Sequence, residues 1–222
     1  MFDIRKLLFR GASIAANVPD DVRQALAIWQ AQPEPVLAEA HFHVRYVIVD
    51  ITTSGKQPEA DQLLGISAVG VQRAGAIHPD DALSLDFSGM ENDPAAVDRQ
   101  LMAFLQFVAK APLVSYHSPF VMAFLQRAFK ERLGIDFQPN GLDLAWLLPD
   151  MFEEVSAQPL PLDQWLLHFG MISEGRRAAM NNTLMLARLF QRVLVRAVAK
   201  EIITAARLLE ESSASAFLRR SL

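Results

Sequence analysis

The chain has 222 residues, of which 51% are hydrophobic and 21% charged, enough apolar material for one compact domain with a buried core and modest extensions. A formal charge of −4 provides no bulk attraction to phosphate backbones, so contact with nucleic acid must rest on a local basic patch. The absence of cysteine excludes disulfides, thiolate metal sites and a thiol nucleophile, and it fits a reducing, cytoplasmic compartment.

Residues 1–42 read as a helical N-terminal extension. Two helical patterns, Ile4 to Ala16 and Val22 to Gln30, are separated by Pro19 with Asp20 and Asp21 as capping candidates, and QPEP interrupts at 32–35. No stretch approaches the roughly 18 apolar residues of a membrane span, so the chain reads as soluble and untargeted, with no membrane partner. From residue 43 the pattern becomes β-branched. HVRYVIVDIT predicts a central buried strand, QLLGISAVGVQ a second, and GAIHPDDALSLDF a third with a turn at His78 to Asp81. Asp93 and Pro94 open a helix through Lys110; APLVSYH is a short strand; Pro119 to Leu133 is a helix stopped by Gly134. LDLAWLL is either a strand end or a helix start, with the Asp143 cap favouring helix, and Leu160 to Phe169 is an amphipathic helix. A long helix runs from Ala178 to Lys200, continuing or breaking before Leu209, and the last dozen residues read as a frayed tail. The sum is an α/β domain over 43–197, with residues 198–222 as a C-terminal helical tail.

Within these elements, VIVDITTSG supplies Asp50, Thr52, Thr53, Ser54 and Gly55, and the next strand supplies Asp61, Leu63, Leu64, Ile66, Ala68 and Val69. LVSYHSPFVMAFL supplies Tyr116, His117, Phe120, Val121, Phe124 and Leu125, followed by LDLAWLLP and LDQWLLHFGM. RRAAMNNTLMLARLF supplies Arg177, Ala179, Met180, Asn182, Thr183, Ala187 and Phe190. In this order, over Tyr46 to Leu194, these segments resemble the motifs of the DnaQ-like, or DEDD, 3'-5' exonucleases, the group that includes the epsilon proofreading subunit of bacterial DNA polymerase III and RNase T. The resemblance implies an RNase H-like mixed five-stranded sheet flanked by helices.

It also implies a chemistry: four carboxylates holding two divalent ions about 4 Å apart, with a His or Tyr as base. Magnesium and manganese sites of this kind need hard, charged oxygen ligands. Matched to the motifs, this chain keeps Asp50 alone, with Thr52, Val121 and Asn182 at the other carboxylate positions and Arg177 at the histidine. A shifted register does not restore the set. Residues 100–129 contain no Asp or Glu, and residues 176–199 contain no Asp, Glu, His or Tyr.

The expectations are therefore these. The domain is a degenerate exonuclease fold that binds a nucleic-acid end, a nucleotide or a protein partner, with no cofactor and at best one weakly held ion at Asp50. A genuine exonuclease completed by Asp20, Asp21 or Glu39 and using Mg or Mn is the first alternative, and a structural module that forms a homo-oligomer through residues 1–42 is the second. Thr53, Ser54, His117 and Arg177 are the ligand-binding candidates, and Arg177 either pairs with Asp50 or points to solvent. His117 otherwise reads as a satisfied loop residue, Asp143 and Asp163 as helix caps, Asp61 as a turn residue, and Arg188, Arg192 and Arg196 as a solvated stripe with a chance of touching phosphate.

Overall fold

The computed structural model describes residues 17–90, 92–171 and 179–220. The pattern over Ile4 to Ala16 and the candidate Arg177 lie outside them. Five strands form one sheet in the order β3-β2-β1-β4-β5, with β1 Tyr46–Thr53, β2 Leu63–Val71, β3 Ile77–Asp86, β4 Leu113–Ser115 and β5 Gly141–Asp143. β1 pairs antiparallel with β2 and parallel with β4, and β5 continues the parallel side. The mixed five-stranded RNase H-like sheet expected from the sequence is thus the one observed.

Helices cover both faces. Because strand side chains alternate, β1 sends Tyr46 and Ile48 to one face and Val47 and Val49 to the other. The first face packs on α4 Leu144–Met151, α5 Leu162–His168, α6 Ala179–Ala199 and α7 Ala205–Arg220. The second packs on α1 Asp20–Gln30, α2 Pro94–Val108 and α3 Ser118–Leu133. Val22, Leu26 and Trp29 of α1 are buried in that second core, and the Trp29 indole donates to Ala109 O at 2.6 Å. Residues 36–41 are strapped to the α6–α7 junction: His41, 1% exposed, uses one ring nitrogen on Ile202 O (2.7 Å) and the other on the Tyr46 hydroxyl (2.8 Å). A carbonyl only accepts, so Nε2 carries the proton and Nδ1 accepts from the tyrosine.

Three local expectations are corrected. Asp20 and Asp21 do not cap α1; they occupy its first turn behind Pro19, where the helix dipole favours them, and Asp21 pairs with Arg99 at 2.8 Å. The β2–β3 turn falls at Gln72–Ala76, where Ala74 and Gly75 take positive φ. His78 to Asp81 instead forms a bulge within edge strand β3, where Pro79 is tolerated because an edge strand need not donate on its outer side. Asp81 folds back over Gly70, filling the space a Cβ would need, and accepts from Arg45 (2.8 Å) and Gln72 (2.5 Å). Finally, the terminal segment is helical through Arg220 rather than frayed: Ser212 and Ser215 are buried against the body of the domain.

LDLAWLL is both a strand end and a helix start. β5 ends at Asp143, whose carboxylate caps α4 by accepting from Ala145 N–H at 3.0 Å.

Candidate functional site

The parallel strands β1, β4 and β5 all finish at one end of the sheet, the position where α/β folds place their ligand crevice. Asp50 lies near the end of β1. By alternation it shares the face of Tyr46 and Ile48, the face covered by α6. Its Oδ1 accepts from Ile51 N–H at 3.0 Å, and among the described residues it has no cationic partner. Burial pushes the carboxyl above the ordinary carboxylate range, only partly offset by the Ile51 N–H. Thr52, by alternation on the same face as Asp50, is exposed and opposite Gly65 of β2.

Asn182 is in the first turn of α6, the helix that packs over Asp50's face. Its Oδ1 is buried with no hydrogen-bond partner, while the neighbouring Thr183 hydroxyl donates to Ala179 O at 3.1 Å. Val121 does not join them. It is 3% exposed and belongs to the apolar core of the opposite face, with Leu125 and Phe129 one and two turns further along α3. An aspartate at this position would have to turn out of that core to reach a metal.

Thr53 and Ser54 are committed to the β1–β2 hairpin. The Thr53 hydroxyl donates to Gly55 O at 2.7 Å, and the Ser54 hydroxyl accepts from Gln62 N–H at 2.8 Å. Asp61 acts as the turn residue expected of it, accepting from Gln57 N–H at 2.8 Å. Its carboxylate lies over Gly55, where any Cβ would collide with it. That contact explains the glycine without reference to a ligand.

His117 precedes α3 in the left-handed conformation (φ 58°, ψ 58°), which non-glycine residues adopt at a cost of about 1–3 kcal/mol. Its imidazole is exposed and packs edge-on against Tyr116, with ring centres 4.8 Å apart. The strain is held by Asp143, whose Oδ1 accepts from His117 N–H at 2.9 Å as well as from Ala145. One buried carboxylate therefore holds the starts of two helices, α3 and α4. Burial raises the Asp143 carboxyl above its usual range, with the N–H donors and the charge of His117 acting the other way. Asp143 N–H in turn donates to Ser212 of α7 at 3.0 Å. The capping of α4 was readable from the sequence; the bonds to His117 and Ser212 span 26 and 69 residues and left no local signal.

The two-metal centre of the DEDD exonucleases does not fit this arrangement. Among the described residues no three His, Asp or Glu come together as a cation site. Asp143, another carboxylate at this end of the sheet, is two strands from Asp50; its Oδ1 accepts from two N–H groups, and its Oδ2 is buried without a partner.

The sequence matches no family model and no curated protein. Solved structures do share the fold. Exonuclease I of E. coli aligns with 75% of the chain at a TM-score of 0.53 and 13% identity. Its complex with a dT13 oligonucleotide aligns with 70% at 0.52 and 10% identity, and its zinc-bound complex with single-stranded DNA with 69% at 0.51 and 13% identity. The alignments span 41–42% of the length of those exonuclease I chains. At such identities the likeness concerns architecture: the chain has the RNase H-like fold found in exonuclease I.

Proposed function

We propose that this chain is a non-catalytic member of the DnaQ-like exonuclease group, whose crevice at the end of β1 binds a nucleic-acid end or nucleotide without cleaving it. The observation that carries the reading is the state of the four carboxylate positions. Asp50 stands alone, Thr52 and Asn182 offer neutral oxygens, and Val121 is part of the apolar core. A single carboxylate beside neutral oxygens is a weak site for hard divalent ions, which favour several charged oxygen ligands. Asn182 Oδ1, buried and unpartnered, is an acceptor suited to a donor group on a ligand. Asp20 and Asp21 ride on α1 over the opposite sheet face, and Glu39 lies in the strap that pairs with the start of α7.

Among the described residues no helix is long and apolar enough to cross a membrane. Cytoplasmic residence and the division at residues 42 and 197 are proposed from the sequence alone, and self-association through residues 1–42 remains the separate alternative of a structural module.

Calorimetric titration with Mn²⁺ tests the reading, together with incubation of the protein with end-labelled single-stranded DNA in Mg²⁺. The expected result is no tight ion binding and no shortening of a retained oligonucleotide. Tight binding of two ions, or shortening that disappears in Asp50→Ala, would establish the exonuclease alternative instead.

A further inference from the structure

The arginine stripe on α6 is not uniform. Arg196 is fully used: its Nε donates to Met151 O at 2.7 Å, its Nη2 bonds Glu154, and its guanidinium lies over Phe152, 5.4 Å from the ring centre. Arg188 and Arg192 are exposed and have no acidic partner among the described residues. Both border a groove of about 800 Å³ between the outer face of α6 and the ends of α4 and α5. Met171, Met185 and Val195 provide its apolar surface, and Val195 is 66% exposed. The pattern of α6 accounts for this. Thr183, Leu186, Ala187, Phe190, Val193 and Ala197 face the core, which leaves Met185, Arg188, Arg192 and Val195 together on the outer side.

The geometry points to a docking groove for an extended peptide segment of a partner protein, with carboxylates at alternate positions and apolar side chains between them. Charge selects an anionic occupant: two guanidinium groups with no acidic partner among the described residues, one of them stacked on Phe169, stand side by side on a chain whose formal net charge is −4. Spacing selects an extended peptide. Arg188 and Arg192 are one helical turn apart, about 6 Å of rise, and alternate residues of a β-strand are about 6.6 Å apart on one side. The intervening side chains then point to the opposite side of the peptide, toward the wall that Phe169 and Met171 supply, while the peptide backbone runs over Met185 and Val195.

The same groove is poorly made for nucleic acid. Base recognition on a single strand uses free aromatic faces, but the Phe169 ring is stacked by Trp165 (16° between planes), packed edge-on by Phe152 and covered by Arg192 at 5.1 Å. Phe152 is 9% exposed. The groove lies on the outer face of α6, whereas Asp50 lies beneath its inner face, so this inference stands independently of the reading of the crevice.

The test is fluorescence anisotropy on the full chain with a labelled, end-blocked peptide of alternating Asp and Leu, a Lys-Leu counterpart, and labelled oligothymidylate. The Asp-Leu peptide is expected to bind more tightly than its Lys-Leu counterpart and to weaken as salt is raised. Arg188→Glu and Arg192→Glu should each weaken it about fivefold, and the double variant more than tenfold. Val195→Asp, at an exposed position, should also weaken it, while Arg207→Glu on α7 should leave it unchanged. Equal binding of the two peptides, or indifference to the α6 variants in protein of unaltered circular dichroism, would overturn the inference. So would loss of oligothymidylate binding in those variants with peptide binding intact, which would assign the groove to nucleic acid.

Discussion

Asp50 and Asp143 stand at the same end of the sheet, each at or near the finish of a parallel strand, and burial raises the carboxyl of both. Their surroundings differ. Asp143 holds the first turns of α3 and α4 and is itself held by α7, whereas Asp50 accepts a single N–H from its own neighbour. The first carboxylate is part of the framework. The second, among the described residues, holds no other element in place, and in the reading proposed above it has no partner carboxylates.

Restoring the missing acid should give the largest effect. Val121→Asp places a charge in an apolar core with no cation to meet it, a loss of about 3–5 kcal/mol at neutral pH. The loss should shrink as the solution is acidified and the new carboxyl takes up a proton, and urea unfolding at two pH values measures it. If Val121→Asp folds normally and binds Mn²⁺, the crevice is closer to a metal centre than Asp50 alone suggests. Next comes Asp143→Ala, which removes both caps and releases the strained His117; about 2–3 kcal/mol is expected, with Asp143→Asn milder because it keeps an acceptor oxygen. A loss in Asp143→Ala no larger than that of a single ordinary cap would show that the bond to His117 contributes little.

Asp50→Asn should act in the opposite direction. The fold raises the carboxyl pKa, so between the unfolded and folded values the native state keeps a proton that the unfolded chain has lost, and stability falls as pH rises through that window. Asparagine removes this penalty, so a gain of up to about 1 kcal/mol is expected at neutral pH, fading at acid pH where both states are protonated. A destabilised Asp50→Asn would reveal a structural role for the carboxylate. The smallest effect is reserved for Arg188→Glu, whose unfolding free energy should stay within about 0.5 kcal/mol of the parent, since its side chain is exposed and has no acidic partner among the described residues.

The sequence by itself determined the order and type of most elements between residues 20 and 199, with LDLAWLL left between strand and helix. Those features are written in local periodicity and punctuation: the β-branched run at 46–53, Asp93 and Pro94 before α2, Gly134 after α3 with φ of 70°, and the heptad-like rows of α6. It also determined that two stretches contain no carboxylate, which depends on no alignment. Tertiary structure decided the rest. It put Val121 in the core opposite Asp50, joined Asp143 to His117 and Ser212, turned His78 to Asp81 into a bulge, and ordered the tail as α7. It also separated Arg196 from Arg188 and Arg192, identical residues at identical spacing, by bringing Met151 and Glu154 beside one of them. The physical reason is common to these cases: backbone propensity acts over a few residues, but burial and hydrogen-bond partners are assigned by segments far apart in the chain.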